Sequence, residues 1–241
     1  MKKIFGVSII IIIAISFCFV NAFAEPSAKV TANVGNIKQV DAGAGWVKIM
    51  ENNIKTANAK DLFVDVSLEC GLTTDTYVSS KVLDRAKAVA EAVVYVKVEM
   101  DGVPILPGMM ADPNGPPAPE KEGVTFERRE QTLIAHFAGD LTGCIDPNTG
   151  YIVIDDPNCI APEDLQLILD TMSANSFNFI APDVPVGSHT LSVYAQVVVV
   201  TSTETEVYAT AEAWAHAYIG KGSVTVEEVR MIKDEDIAPE I

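Results

Sequence analysis

The stretch Ala174-Asn175-Ser176-Phe177-Asn178-Phe179-Ile180-Ala181-Pro182-Asp183-Val184-Pro185-Val186-Gly187-Ser188-His189-Thr190-Leu191-Ser192-Val193-Tyr194-Ala195-Gln196-Val197-Val198-Val199-Val200 decides the fold class. Phe177, Phe179 and Ala181 alternate with Asn178 and Ile180, and a side-chain period of two is the period of a strand. Pro182 and Pro185 hold φ fixed while Gly187 frees it, so the middle reads as a turn. Alternation resumes at Thr190 and ends in four valines, the pattern of a strand buried on both faces at a sheet centre. Together these residues read as a hairpin.

Working outward, Leu62, Val64, Val66, Leu68, Cys70 and Leu72 share one face, with Phe63, Asp65, Ser67, Glu69 and Gly71 on the other. Six matches to period two exclude a helix and place Cys70 inward. Thr73 to Ser80 is polar and reads as a turn, and 81–91 suits either a short helix or a strand entry. Ala92, Val94, Val96, Val98 and Met100 form another one-faced strand, ended by Asp101-Gly102. Two more strand-like runs follow at Val124 to Glu130 and Thr132 to Phe137. Val207 to Ile219 carries alanines at 209, 211, 213, 215 and 217 on one face, with Tyr208, Trp214, His216 and Tyr218 on the other. Gly220-Lys221-Gly222 then reads as a turn into a last strand, Ser223 to Lys233.

Two segments break the β pattern. Residues 103–123 hold six prolines together with Gly108, Gly115 and Gly123, a composition that forms an extended loop. Residues 162–172 predict a short helix: Pro162 suits a first helical turn, and Glu163 and Asp164 favour the positive end of the dipole. Leu165, Ile168, Leu169 and Met172 then fall on one stripe. Many short strands and one helix imply an all-β fold, an antiparallel two-sheet β-sandwich of jelly-roll or immunoglobulin-like architecture. The run Gly187 to Val193 resembles the return strand of hairpins in jelly-roll modules.

Residues 1–24 read as a cleaved signal peptide. Lys2 and Lys3 precede an apolar run from Ile4 to Val20, and Ala22-Phe23-Ala24 is a small-x-small cleavage site. Phe17, before Cys18, is too large for a lipoprotein signal. The expected mature protein is therefore one secreted, periplasmic or cell-surface domain over 25–241, without a stable membrane anchor. The formal net charge is −16, and losing Lys2 and Lys3 makes it more acidic. Such a surface disfavours nucleic acid and anionic membranes, which are bound through cationic side chains.

An oxidising compartment makes a disulfide expected. Cys144 and Cys159 bracket a short turn-rich segment and form the obvious pair, and closing such a loop stabilises by roughly 3 kcal/mol in the chain-entropy view. Cys70 remains as a buried thiol.

No signature of a catalytic site is present: no nucleophile elbow, phosphate loop, dinucleotide fingerprint or Cys-x-x-Cys. His136, His189 and His216 lack metal-ligand spacing and read as structural. Asp146, Asn148, Asp155 and Asp156 place hard oxygen donors close together, so Ca2+ is one reading of that loop and a plain turn the other. Tyr208, Trp214, His216 and Tyr218 read either as a platform for sugar rings or as a face packed beneath the proline-rich loop. The chain is thus expected to be a non-catalytic protein with a structural, adhesive or binding role. The alternative is a carbohydrate- or calcium-binding module with a glycan or protein partner, and exposed sheet edges make a homo-oligomer a further expectation.

Overall fold

The computed structural model describes residues 30–35, 40–80, 84–137, 145–146, 148–151, 163–207 and 209–231. The described strands are β1 (Val30–Gly35), β2 (Val47–Thr56), β3 (Lys60–Ser80), β4 (Arg85–Met100), β5 (Val103–Pro104), β6 (Val124–His136), β7 (Glu163–Val184), β8 (Gly187–Thr205) and β9 (Ala209–Val229), with one helical turn, α1 (Pro119–Glu122). The signal segment, Cys144, Cys159, Asp155, Asp156 and Tyr208 lie outside the described residues.

The alternation at 62–72 gives β3 one buried face, and that face decides what it packs on. Leu62, Val64, Val66, Leu68, Cys70 and Leu72 all point between two antiparallel sheets. One sheet runs β1-β9-β3-β7, and the other runs β2-β8-β4 with β5 and β6 sharing the far edge of β4. Branched side chains from both sheets meet in a main core: Val94, Val96 and Val98 of β4, Phe179 of β7, Leu191 and Val193 of β8, and Ile219, Val224 and Val226 of β9. Burying each such side chain contributes roughly 1.5–3 kcal/mol. Beyond it the filling changes. Val78, Ala86, Ala88, Ala135, Phe137 and Ala209 form a second, smaller core bordered by Ala211 and Ala213. The alanine face of β9 thus points inward, as its sequence implies.

Polar side chains join the sheets between β6 and β7. Gln131 is buried; its Nε2 donates to Thr76 Oγ1 and to the Leu167 carbonyl, both at 2.6 Å, and Thr74 Oγ1 donates to its Oε1 at 2.6 Å. Glu127 accepts from Ser173 and Asn175, and Arg129 donates to the Leu72 carbonyl. Every buried polar group in this row therefore has a partner, which is what burial demands. Arg128 is ion-paired with Glu91 and Glu130. Cys70 is a free, buried thiol, and burial, with the nearby Glu127 charge, pushes its pKa up to about 12. It stays protonated and inert at neutral pH.

Several expectations need correction. The segment 162–172 is not a helix where it is described: from Glu163 it is the start of β7. Leu165, Leu167 and Leu169 also satisfy period two, and β3 runs on through Thr73–Ser80 as an open edge for them to pair with. Thr73–Ser80 is accordingly strand, not turn, because Thr74, Thr76 and Val78 continue the inward face. The stretch 174–200 is not a hairpin: β7 pairs β3 in one sheet, and β8 pairs β2 and β4 in the other. The tight turn is an arch from sheet to sheet, so both alternating faces point into one core. Val197 is buried but Val200 is 51% exposed, so the valine run is not covered on both faces. Gly220–Gly222 continues β9 instead of turning it. A Cβ at Gly222 would meet Leu68 Cδ2 at 2.4 Å, so glycine serves close approach there. The segments 124–130 and 132–137 are largely one strand, β6.

Two side-chain clusters hold the loops. Lys97, buried on the outer face of the β4 sheet, lies 4.9 Å from the Trp46 ring centroid and 5.6 Å from that of Tyr194, and pairs with Glu99 and Glu122. Trp46 Nε1 donates to Glu122 at 2.7 Å. The proline-rich loop is thereby pinned to the β4 sheet, and it contains β5 and α1 instead of being wholly irregular. His189 lies between Asp101 Oδ2 (2.7 Å from Nδ1) and the Pro185 carbonyl (2.9 Å from Nε2), which ties two turns together. Both partners accept, so the imidazolium, with two N–H donors, satisfies both. Burial alone would lower the pKa of His189; the hydrogen bonds to Asp101 and the Pro185 carbonyl, with the Asp101 charge, outweigh it and raise the pKa above 6.5.

Two predictions follow from this packing. Phe179→Ala empties the centre of the main core and should cost about 3–5 kcal/mol in chemical denaturation. The His189 contribution to stability is present in full below pH about 6.5 and is lost as pH rises through the raised folded-state value. Melting temperature should therefore fall toward the alkaline side of the interval between about pH 5 and 8. In His189→Gln that component of the pH dependence should disappear.

Candidate functional site

Outward-facing residues of β9, β3 and β7 form a grid on one surface of the sandwich. The register sets Tyr218 beside Gly71 and Met172, His216 beside Thr73 and Asp170, Trp214 beside Asp75 and Ile168, and Glu212 beside Tyr77 and Gln166. Trp214 and His216, two residues apart on one strand face, meet edge-to-face with ring centroids 5.9 Å apart. The Tyr218 ring lies across Gly71, where a Cβ would sit 2.0 Å from Cζ. Glycine in the middle of β3 therefore makes room for an aromatic ring to lie flat on the sheet.

Asp75, Tyr77, Gln166, Glu212 and Trp214 line a shallow depression of about 300 Å³. Asp75 is only 7% exposed, and Gln166 Nε2 donates to both of its carboxylate oxygens at 3.1 and 2.9 Å. This pairing orients the carboxylate beside Trp214, which is itself 46% exposed. The result is an apolar ring face next to a fixed acceptor, an amide and a second, exposed carboxylate. No cation lines it among the described residues. The proline-rich loop is held to the β4 sheet through Glu122 and to the edge of β7 through Leu106 and Ile180, and none of its residues lines this depression. His216 and Tyr218 also border a second depression of about 330 Å³, with Val40 and Asp41.

Trp214, His216 and Tyr218 are thus brought together on an uncovered face, while Tyr208 falls outside the described residues. Asp75, Tyr77, Gln166 and Glu212 complete the site. Asp75 and Tyr77 escape a sequence reading that ends the strand at Leu72, and Gln166 escapes one that makes 162–172 a helix. The signal was present in both: Thr74, Thr76 and Val78 extend the alternation of β3 without a break, and Leu165, Leu167 and Leu169 alternate in β7.

In the proposed calcium loop, Asp146 Oδ1 accepts from the Asn148 amide at 2.8 Å and Oδ2 from Thr149 Oγ1 at 2.7 Å. These bonds, that to the Asn148 amide first, lower the Asp146 pKa. This is a side-chain-stabilised turn in which Asp146 is occupied by its own neighbours. Among the described residues, no group of three or more metal-ligating side chains gathers in one place.

The chain matches no family model and no curated protein sequence. Among solved structures, it is similar to a protein of the infectious bursal disease virus Gx strain, with TM-score 0.23 and 8% identity over 85% of this chain and 35% of that one. A second likeness is to dimeric latent PorU from Porphyromonas gingivalis, with TM-score 0.19 and 9% identity over 92% and 15%. A third is to a mutant VP2 protein of infectious bursal disease virus, with TM-score 0.21 and 12% identity over 87% and 40%. The chain spans well under half the length of each. The assignment as an antiparallel β-sandwich rests on the strand pairing itself.

Proposed function

We propose that this is a secreted or cell-surface, non-catalytic binding protein whose ligand is a glycan held on the outer face of the β9-β3-β7 surface. The observation that carries the reading is the placement of the exposed Trp214 ring beside the Asp75–Gln166 pair in one depression. A sugar ring offers an apolar C–H face to an indole and hydroxyl groups to carboxylate and amide acceptors. Asp75 is already oriented by Gln166, so little ordering is needed on binding. The depression is shallow and flanked by strands, which suits one or two residues of a longer glycan lying across the surface.

Charge narrows the ligand. Asp75 and Glu212 are both acidic, and the whole chain carries a formal net charge of −16. Neutral or amino sugars are compatible with that field, whereas sulfated and sialylated ones are repelled by it.

On a glycan array, the protein should retain neutral or amino-sugar glycans and not sulfated ones. Trp214→Ala should weaken retained binding by at least about tenfold, the equivalent of about 1.4 kcal/mol. Gln166→Ala, which releases Asp75, should weaken it as well. Binding of no glycan, or equal binding by Trp214→Ala, would remove this reading.

A further inference from the structure

One edge of the same sheet is unfinished. β7 pairs β3 along its full length, and among the described residues its other edge meets only the proline-rich loop, through the Leu106–Ile180 bridge. Ile180 both donates to the Leu106 carbonyl, at 2.9 Å, and accepts from the Leu106 amide, at 3.1 Å. Residue 180 therefore directs its N–H and C=O toward the free edge. The pairing with β3 runs from Ala181 to Glu163 without a register shift, so every even-numbered residue of β7 does the same. Gln166, Ile168, Asp170 and Met172 thus present backbone donors and acceptors at the edge, and no strand pairs with them among the described residues.

The side chains on this edge are apolar on both faces. Leu165, Leu167, Ile168, Leu169 and Met172 are each between 39 and 61% exposed. The segment contains no proline, lysine or arginine, the residues that ordinarily blunt an exposed edge.

We propose that this edge pairs with the same edge of a second copy of the chain, antiparallel, across a two-fold axis through Ile168. A two-fold axis normal to the sheet keeps each face on its own side, so inward residues meet inward ones. Centring on Ile168 sets Ile168 against its own copy, Leu167 against Leu169, Leu165 against Thr171, Gln166 against Asp170, and Asp164 against Met172. At the axis apolar residues meet apolar ones, Ile168 with Ile168 and Leu167 with Leu169, and each acid meets a neutral partner. The alternative centre at Leu167 would set Asp164 against Asp170, and directly opposed like charges destabilise a strand pair. The chosen centre also makes Ile168 the residue that exchanges both hydrogen bonds with its copy, consistent with the parity set by Ile180. The two copies together form one continuous sheet of eight strands. Their glycan depressions, each including Gln166, would then flank the seam, but the pairing itself does not depend on the glycan reading.

The purified protein should run as a dimer in size-exclusion chromatography with light scattering. Added salt should tighten the dimer, because screening reduces repulsion between two acidic chains. Ile168→Lys should weaken dimerisation by at least about tenfold, since it opposes two like charges at the axis. Its circular dichroism and melting profile at low concentration should remain those of a folded monomer. Ile168→Cys should cross-link to itself on oxidation, because Cα atoms about 5.5 Å apart in such a pair lie within disulfide range. Leu165→Cys should not, its copy being several residues away along the seam. A monomer at every concentration and salt, a dimer untouched by Ile168→Lys, or self-coupling of Leu165→Cys in place of Ile168→Cys would overturn the proposal. A monomer would leave the edge to a strand from a different protein.

Discussion

The rest of the sandwich depends on β3 being paired on both edges along nearly all of its twenty-one residues, with β7 on one side and β9 on the other. A strand held on both sides has no backbone group left to turn with. That is why the polar run Thr73–Ser80 stays extended although its composition suits a loop. The constraint passes to its neighbours. β7 must begin at Glu163 to accompany Ser80, and β9 must run straight through two glycines to reach both ends of β3. Local helical preference at 163–172 is worth a few tenths of a kcal/mol per residue. A full ladder with an already buried strand outweighs it.

The two outer surfaces differ in what is tied across them. Lys97, Trp46, Glu99 and Glu122 close the β4 sheet by cation–π contact, ion pairing and hydrogen bonding, and hold α1 against it. Among the described residues the β9-β3-β7 surface receives no such cover, and Trp214 is exposed. An exposed aromatic next to an oriented carboxylate is the arrangement on which the proposed binding role rests, and it sits one strand from an edge that carries unpaired backbone among the described residues. The candidate ligand face and the candidate assembly edge therefore lie side by side on one sheet.

Legibility in the sequence followed the range of the interaction involved. The inward faces of β3, β4 and β9 could be read directly, since apolar alternation reports burial against whatever lies opposite. The buried Cys70 was legible for the same reason. Half of the aromatic site was legible too, because Trp214, His216 and Tyr218 share one strand and one parity. Asp75, Tyr77 and Gln166 were not: they join Trp214 only through the register between three strands distant in sequence, and two of those segments carried competing local signals. The arch at 182–187 shows the same limit. Its prolines and glycine announce a reversal of direction, but a hairpin and a sheet-to-sheet crossing need the same turn chemistry.

By itself, then, the sequence determined that this protein is built of antiparallel strands, which faces of most of them are buried, and that the chain reverses at 182–187. Those properties reside in side-chain period and in the φ restrictions of proline and glycine, which act over a few residues. Which strand neighbours which, how far β3 and β7 extend, which outer face stays bare and which edge stays open were decided only in the tertiary structure. Each of these depends on hydrogen-bond ladders between segments up to about 200 residues apart, and the energy of such a ladder is realised only when both partners are in place.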